Sequence, residues 1–152
     1  TSSFLYSLVM DTYSFGYSSS GFTDMPMNHK VFLAQFDAIK KLASEGPCVM
    51  VGRCADYALS EYKDCFSVFV HADTDWRINR LSQKHNKTAK EAKDMINKTD
   101  KSRSSYYNYY TNKKWGAASS YNLCVDSSKL GIDGAAKAII QAIEIFDSIK
   151  NK

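Results

Sequence analysis

The sequence predicts an α/β domain built on a mostly parallel sheet, and three observations carry that expectation. Short continuous apolar runs, the mark of strands covered on both faces, stand at PCVMVG (Pro47–Gly52), SVFVHA (Ser67–Ala72) and YNLCVDSS (Tyr121–Ser128). Segments of helical periodicity alternate with them. No two runs are joined by a hairpin signal, and parallel strands need long crossovers instead. A length of 152 residues suits a single domain over 1–152 with its own core. Its composition, 44% hydrophobic and 24% charged, is ordinary for a globular chain.

Residues 1–27 lack clean periodicity, and YSFGYSSSGFTD (Tyr13–Asp24) reads as a mobile Gly/Ser connection. Asn28 is the expected N-cap of a helix over roughly 29–44, whose buried stripe is Phe32, Phe36, Ile39 and Ala43. Gly46 and Pro47 end that helix and the first strand follows. RCADYALSEY gives a brief helix before the second strand. DTDWRINRLSQKH then opens a helix capped by Asp73 or Thr74. Residues 88–113 read as helical with one break. After the third strand, GIDGAAKAIIQAIEIFDSIK forms an amphipathic helix with Ala136, Ile139, Ile143, Phe146 and Ile149 on one face.

Composition excludes several classes of function. No apolar run approaches the roughly 20 residues of a membrane span. SFLYSLVM (Ser3–Met10) lacks the basic flank and cleavage site of a signal peptide, so the chain reads as cytoplasmic. It opens at Thr1 without a methionine, in a polar, tyrosine-rich stretch, as the remainder of a longer protein would. A net charge of +4 is mild for a nucleic-acid binder and sufficient for nucleotides. Cys48, Cys54, Cys65 and Cys124 form no CxxC pair and have no histidine at ligand spacing. They are expected as thiols buried on or near strands, with no metal site. His29, His71 and His85 are scattered singly.

Parallel sheets bind ligands beyond the carboxyl ends of their strands, which singles out Gly52-Arg53, His71–Asp75 and Asp126–Ser128. Arg53 at the first of these can fork onto a phosphate or carboxylate, with Asp56 one turn on to orient it. The same pair reads equally as a surface ion pair. Arg77 and Arg80 lie three apart on the next helix, where such residues commonly form a solvated face. Asp100 and Arg103 stand at i, i+3 with Tyr107 and Tyr110 along the same side. That arrangement is either an oriented phosphate clamp or a salt-bridged amphipathic helix. DKSRSSYYNYYTNKKWG (Asp100–Gly116) gathers four cations, four tyrosines and a tryptophan, and single-stranded nucleic acid stacking on the tyrosines is a further reading. GYSSSGFT (Gly16–Thr23) has the glycine spacing of a phosphate loop, but Phe22 stands where the lysine belongs.

PCVMVGRCADYAL, FSVFVHADTDWRINRL, INKTDKSRSSYYNYYTNKKWG and YNLCVDSSKLGID together resemble the cytidylate kinase-like family over about residues 28–150. The resemblance implies a P-loop-kinase-like three-layer α/β fold whose first strand and P-loop helix lie upstream of these residues. It implies a phosphotransferase moving the γ-phosphoryl of ATP, with Mg²⁺, onto a cytidine-type monophosphate or related acceptor. A chain of these residues alone would be inactive. By the same resemblance Arg53 and Asp56 hold the acceptor, and Arg77 and Arg80 approach the donor phosphates. Asp100 and Arg103 belong to a lid over about 86–116, where Arg103 stabilises the transferring group and Asp100 orients it. In true cytidylate kinases the aspartate directly follows the arginine. Here Cys54 and Ala55 intervene, which leaves the base that is read open. The alternatives are a non-catalytic nucleotide-binding or regulatory module and, more weakly, the single-stranded nucleic-acid binder.

Overall fold

A computed structural model describes residues 27–150, in two compact units that meet in sequence between Cys65 and Phe66. The phosphate-loop-like glycines at 16–23 and the connection over 1–26 lie outside the described residues.

The first unit holds helix α1 (Met27–Glu45) and the single turn α2 (Ala55–Ala58). α1 begins at Met27, so Asn28 lies inside its first turn and is not the N-cap that its residue type suggested. The expected stripe does form the packing face. Ile39 is buried with Ala55, Ala58 and Leu59, and Phe36, Ala43, Met50 and Cys65 close around them. Phe36 meets Phe32 at 5.9 Å and the edge of Tyr57 at 6.2 Å between ring centroids.

Pro47–Val51 corrects an expectation, because no strand forms there. A strand exists by virtue of a hydrogen-bonded neighbour, and the only sheet among the described residues has two strands, neither of them this run. Val49 and Val51 are 94% and 90% exposed.

The second unit is a βααβα arrangement: β1 (Val68–His71), α3 (Thr74–His85), α4 (Ala89–Thr111), a short 3-10 turn (Ala118–Ser120), β2 (Leu123–Asp126) and α5 (Ser127–Lys150). β1 and β2 pair in parallel, with Val68 opposite Leu123 and His71 opposite Asp126. The parallel pairing matches the reading from sequence, but the coverage does not. Val125 is buried while Val70 is 52% exposed, so β1 is not covered on both faces.

α4 runs unbroken where one break was expected. Thr88 and Glu91 start it with a reciprocal capping box, and Ala92, Ile96, Tyr107 and Thr111 bury one stripe along its length. α5 carries a kink at Gly131, whose φ of 70° and ψ of 174° no helix contains. Beyond it Ala135 is buried and Ile139, Ile143 and Phe146 are partly covered, with Phe146 5.1 Å from the Phe66 ring. Ala136 and Ile149 of the expected face are exposed, because the stripe centres on Ala135 and the last turn extends past its support.

Candidate functional site

In the first unit, Gly52, Arg53 and Cys54 are three successive residues in the left-handed region, with φ of 72°, 57° and 55°. Two of them carry side chains that disfavour this conformation, a cost of order 1–3 kcal/mol each. The turn is held by the Ala55 amide donating to the Gly52 carbonyl and the Ala58 amide to that of Cys54. It presents Arg53 to solvent, where its guanidinium takes no partner among the described residues. Asp56 follows in α2. Burial foremost, and then the Asp56 charge, pushes the Cys54 thiol from 9.0 up to about 11. Cys65 is raised by the same two causes, with Cys48 a third. All four cysteines are free, and Cys48 is exposed rather than buried.

In the second unit, parallel pairing brings two of the suspected strand ends side by side, because His71 and Asp126 are partners in register. The Ser127 hydroxyl donates to the His71 carbonyl at 3.0 Å. Ser128 Oγ accepts from the Asp73 amide at 3.1 Å and donates to Asp126 Oδ1, which also accepts the Ser128 amide at 2.9 Å. The Ser128 hydroxyl, ahead of the other causes, lowers the Asp126 pKa, so this carboxylate stays charged. Lys129 closes the network with an ion pair to Asp73 at 2.9 Å. Asp73 does cap α3 by position, but its carboxylate makes no bond to the helix start and serves Lys129 instead. Lys129 was not read as a functional residue, and its only signal was its place at the end of the polar run DSSK.

α3 leaves this edge with Arg77 in its second turn. Arg77 is forked onto Asp100 of α4, its two terminal nitrogens 2.7 and 2.9 Å from the two carboxylate oxygens. The pair is one-quarter to one-third exposed. Asp100 was expected to hold Arg103, three residues along its own helix; the structure gives it to Arg77, twenty-three residues away in sequence. Arg103 is exposed and makes no ion pair or hydrogen bond among the described residues. Arg80 lies over the Trp76 ring with its guanidinium carbon 5.6 Å from the centroid.

Past α4 the chain is fastened to the sheet by aromatic rings. Trp115 meets Phe69 edge-on at 5.3 Å, Phe69 stacks on Tyr121 at 5.0 Å, and the buried Tyr107 lies 6.1 Å from Tyr121. Gly116 has φ of 75°, and a Cβ there would come within 3.2 Å of the Phe69 ring. No three metal-ligating side chains cluster among the described residues, and no helix among them is long and apolar enough to cross a membrane.

The fold is thus mixed α/β with a small parallel sheet, and its most ordered polar features are an arginine–carboxylate fork between two helices and a hydroxyl–carboxylate network at the strand ends. A model of the cytidylate kinase-like family matches residues 1–129, and the chain belongs to that family. The match begins earlier than the stretch that carries the resemblance and stops just inside α5. A solved structure, an uncharacterized protein from Eubacterium ventriosum ATCC 27560, is similar at 32% identity and a TM-score of 0.74. The similarity covers 78% of this chain and 74% of that one. No functionally curated protein matches.

Proposed function

We propose that the chain is part of a phosphotransferase of the nucleoside monophosphate kinase type with a P-loop-kinase-like three-layer fold. It moves the γ-phosphoryl of ATP to a cytidine-type monophosphate or related acceptor. Family membership supports a kinase-like role, and the observation that carries the reading is the Arg77–Asp100 fork with Arg103 one helical turn farther along α4. A preset, rigid guanidinium beside an unpaired one suits a ligand with several anionic oxygens. In this reading Arg77 and Arg80 address the donor phosphates, and Arg103 meets the charge that spreads over the transferring group. Arg53 and Asp56 take the acceptor. Phosphoryl transfer depends mostly on positioning and electrostatics, so arginines are the groups it needs. Mg²⁺ would arrive with the nucleotide's phosphates, and the described side chains offer it no cluster of their own.

The experiment is a nucleotide panel on the full-length protein, read by thermal shift and by ADP formation with ATP and each monophosphate. Stabilisation by ATP and turnover with a pyrimidine monophosphate are expected. Arg103→Gln should cost about 10²–10³ in kcat. If no mono-, di- or triphosphate raises Tm, the reading is wrong. Binding without turnover would favour a non-catalytic nucleotide-binding module.

A further inference from the structure

α3 carries Arg77 and lies mainly along α4, with little contact to either strand among the described residues. Its tie to the strand ends runs through Asp73, which is held on both sides of its backbone. The Asp73 amide donates to Ser128 Oγ at 3.1 Å. The Asp73 carbonyl accepts the Arg77 amide at 3.0 Å, the bond that opens the helix. Ser128 is fixed in turn by Asp126, whose Oδ1 accepts both its amide and its hydroxyl. A carboxylate at the end of β2 thus reaches the root of the Arg77 side chain through one hydroxyl and a series of hydrogen bonds.

The Ser128 hydroxyl is not needed to start α5. The Ser128 amide also donates to Asp126 Oδ1, at 2.9 Å, and that bond caps a helix beginning at Ser127 whether or not the hydroxyl is there. Nor does the hydroxyl rescue a stranded donor, because Asp73 is exposed and water reaches its amide. What it adds is position. The Lys129–Asp73 ion pair runs beside this link, but with side chains 70% and 58% exposed it is a weak tether.

We propose, on the nucleotide reading above, that Ser128 is a positioning residue for Arg77. Its hydroxyl sets the start of α3 against the strand ends, so that the guanidinium already forked by Asp100 meets the phosphates of ATP at a fixed place. Asp100 fixes the head of that side chain relative to α4, and Ser128 fixes its root relative to the sheet. With the root released, α3 can shift while the fork stays closed, and a directional contact to phosphate tolerates little displacement. Ser128 does not touch the ligand; it acts through Arg77.

The test is calorimetric titration of ATP into the full-length protein and its variants. Ser128→Ala should weaken ATP about 3- to 10-fold, the worth of one net hydrogen bond. Ser128→Thr keeps the hydroxyl and should bind as wild type does. Ser128→Ala is then repeated over Arg77→Ala. There it should add nothing, whereas a general loosening of the fold or a direct contact to ATP would weaken binding by the same factor in both backgrounds. Asp73→Pro serves as a second arm should Ser128→Ala fail to fold. The Asp73 φ of −55° suits proline, which deletes the amide donor and leaves Asp126 and Ser128 in place. It should weaken ATP by the same factor, and Asp73→Ala, which keeps the amide, by less. Wild-type affinity in Ser128→Ala or Asp73→Pro, or an equal loss with and without Arg77, refutes the positioning role while the nucleotide reading stands. If wild type itself does not bind ATP, the nucleotide reading falls and this role falls with it.

Discussion

Truncating Asp100 to alanine removes both acceptors of the Arg77 fork, bonds of 2.7 and 2.9 Å. A fully exposed ion pair is worth about 0.2–1 kcal/mol, and breaking a buried one costs about 3–5 kcal/mol. With side chains 31% and 25% exposed, this pair lies between those limits. Water still reaches the guanidinium once its partner is gone, so the residual charge is not stranded. Two parallel charge-assisted bonds nonetheless hold one geometry with little further loss of rotamer freedom. About 1–2 kcal/mol is the expected cost of Asp100→Ala. For a cooperative unit of about 60–100 residues, each kcal/mol lowers Tm by roughly 4–8 °C. The assay is urea unfolding of wild type, Arg77→Ala, Asp100→Ala and the double variant, from which a coupling of about 1 kcal/mol is expected. Arg77→Lys keeps the charge but not the fork and should retain less than half of that coupling. A coupling below about 0.3 kcal/mol, or a lysine variant as stable as wild type, refutes the claim that this fork holds α3 to α4.

Gly116→Ala forces a Cβ at φ of 75° to within 3.2 Å of the Phe69 ring, so it should cost about 1–2 kcal/mol or more in urea unfolding. Thr88→Ala removes the capping box of α4, at a cost of about 1 kcal/mol at neutral pH. Glu91 sits below its ordinary 4.5 because the Thr88 amide and then the Thr88 hydroxyl donate to it. Its contribution is therefore in force above pH 4.5 and is lost as pH falls through the lower folded value, so Glu91→Gln should flatten the acid limb of a Tm–pH curve. Cys54, pushed up to about 11 by burial and then by Asp56, should be the slowest of the four thiols to alkylate at pH 8, with the exposed Cys48 the fastest by mass spectrometry.

What was legible in the sequence was local. β1 and β2 announce themselves as short apolar runs bounded by polar residues, and α1 by the three- and four-residue steps of Phe32, Phe36, Ile39 and Ala43. The same rule failed at Pro47–Val51, because apolar composition is a property of the run whereas being a strand depends on a partner elsewhere. The unbroken course of α4 had a signal in Thr88-x-x-Glu91, but Thr99, the serines and the tyrosines after it are weak helix formers. Burial of Tyr107 and Thr111 outweighs that weakness. The site was less legible than the fold. Arg77, Asp100 and Arg103 were all singled out, yet the i, i+3 rule joined the wrong two. Asp73 caps α3 by position, as its place in the sequence suggested, but its carboxylate is committed to Lys129, fifty-six residues later. Pairings across that distance leave no periodic trace.

The exchange of partners at Asp100 changes what each arginine can do. A guanidinium has five N–H donors, and the fork to Asp100 occupies two of them, so Arg77 is positioned by the carboxylate without being used up. Its remaining donors are held in a fixed direction, which suits a group that binds the same phosphate in the ground state and in the transition state. Arg103, without a partner, has no such preset and is better suited to charge that develops only when the phosphoryl group moves. On the proposed function the two variants should therefore separate in kinetics. Asp100→Asn, which keeps the shape and loses the charge, should raise KM for ATP by several-fold with a smaller effect on kcat, because it loosens uniform binding. Arg103→Gln should lower kcat and kcat/KM together, the mark of an interaction made in the transition state. Were Asp100→Asn to reduce kcat as deeply as Arg103→Gln while leaving KM unchanged, Asp100 would be acting on Arg103 during the reaction, and the fork seen here would belong to a different state of the α3–α4 pair.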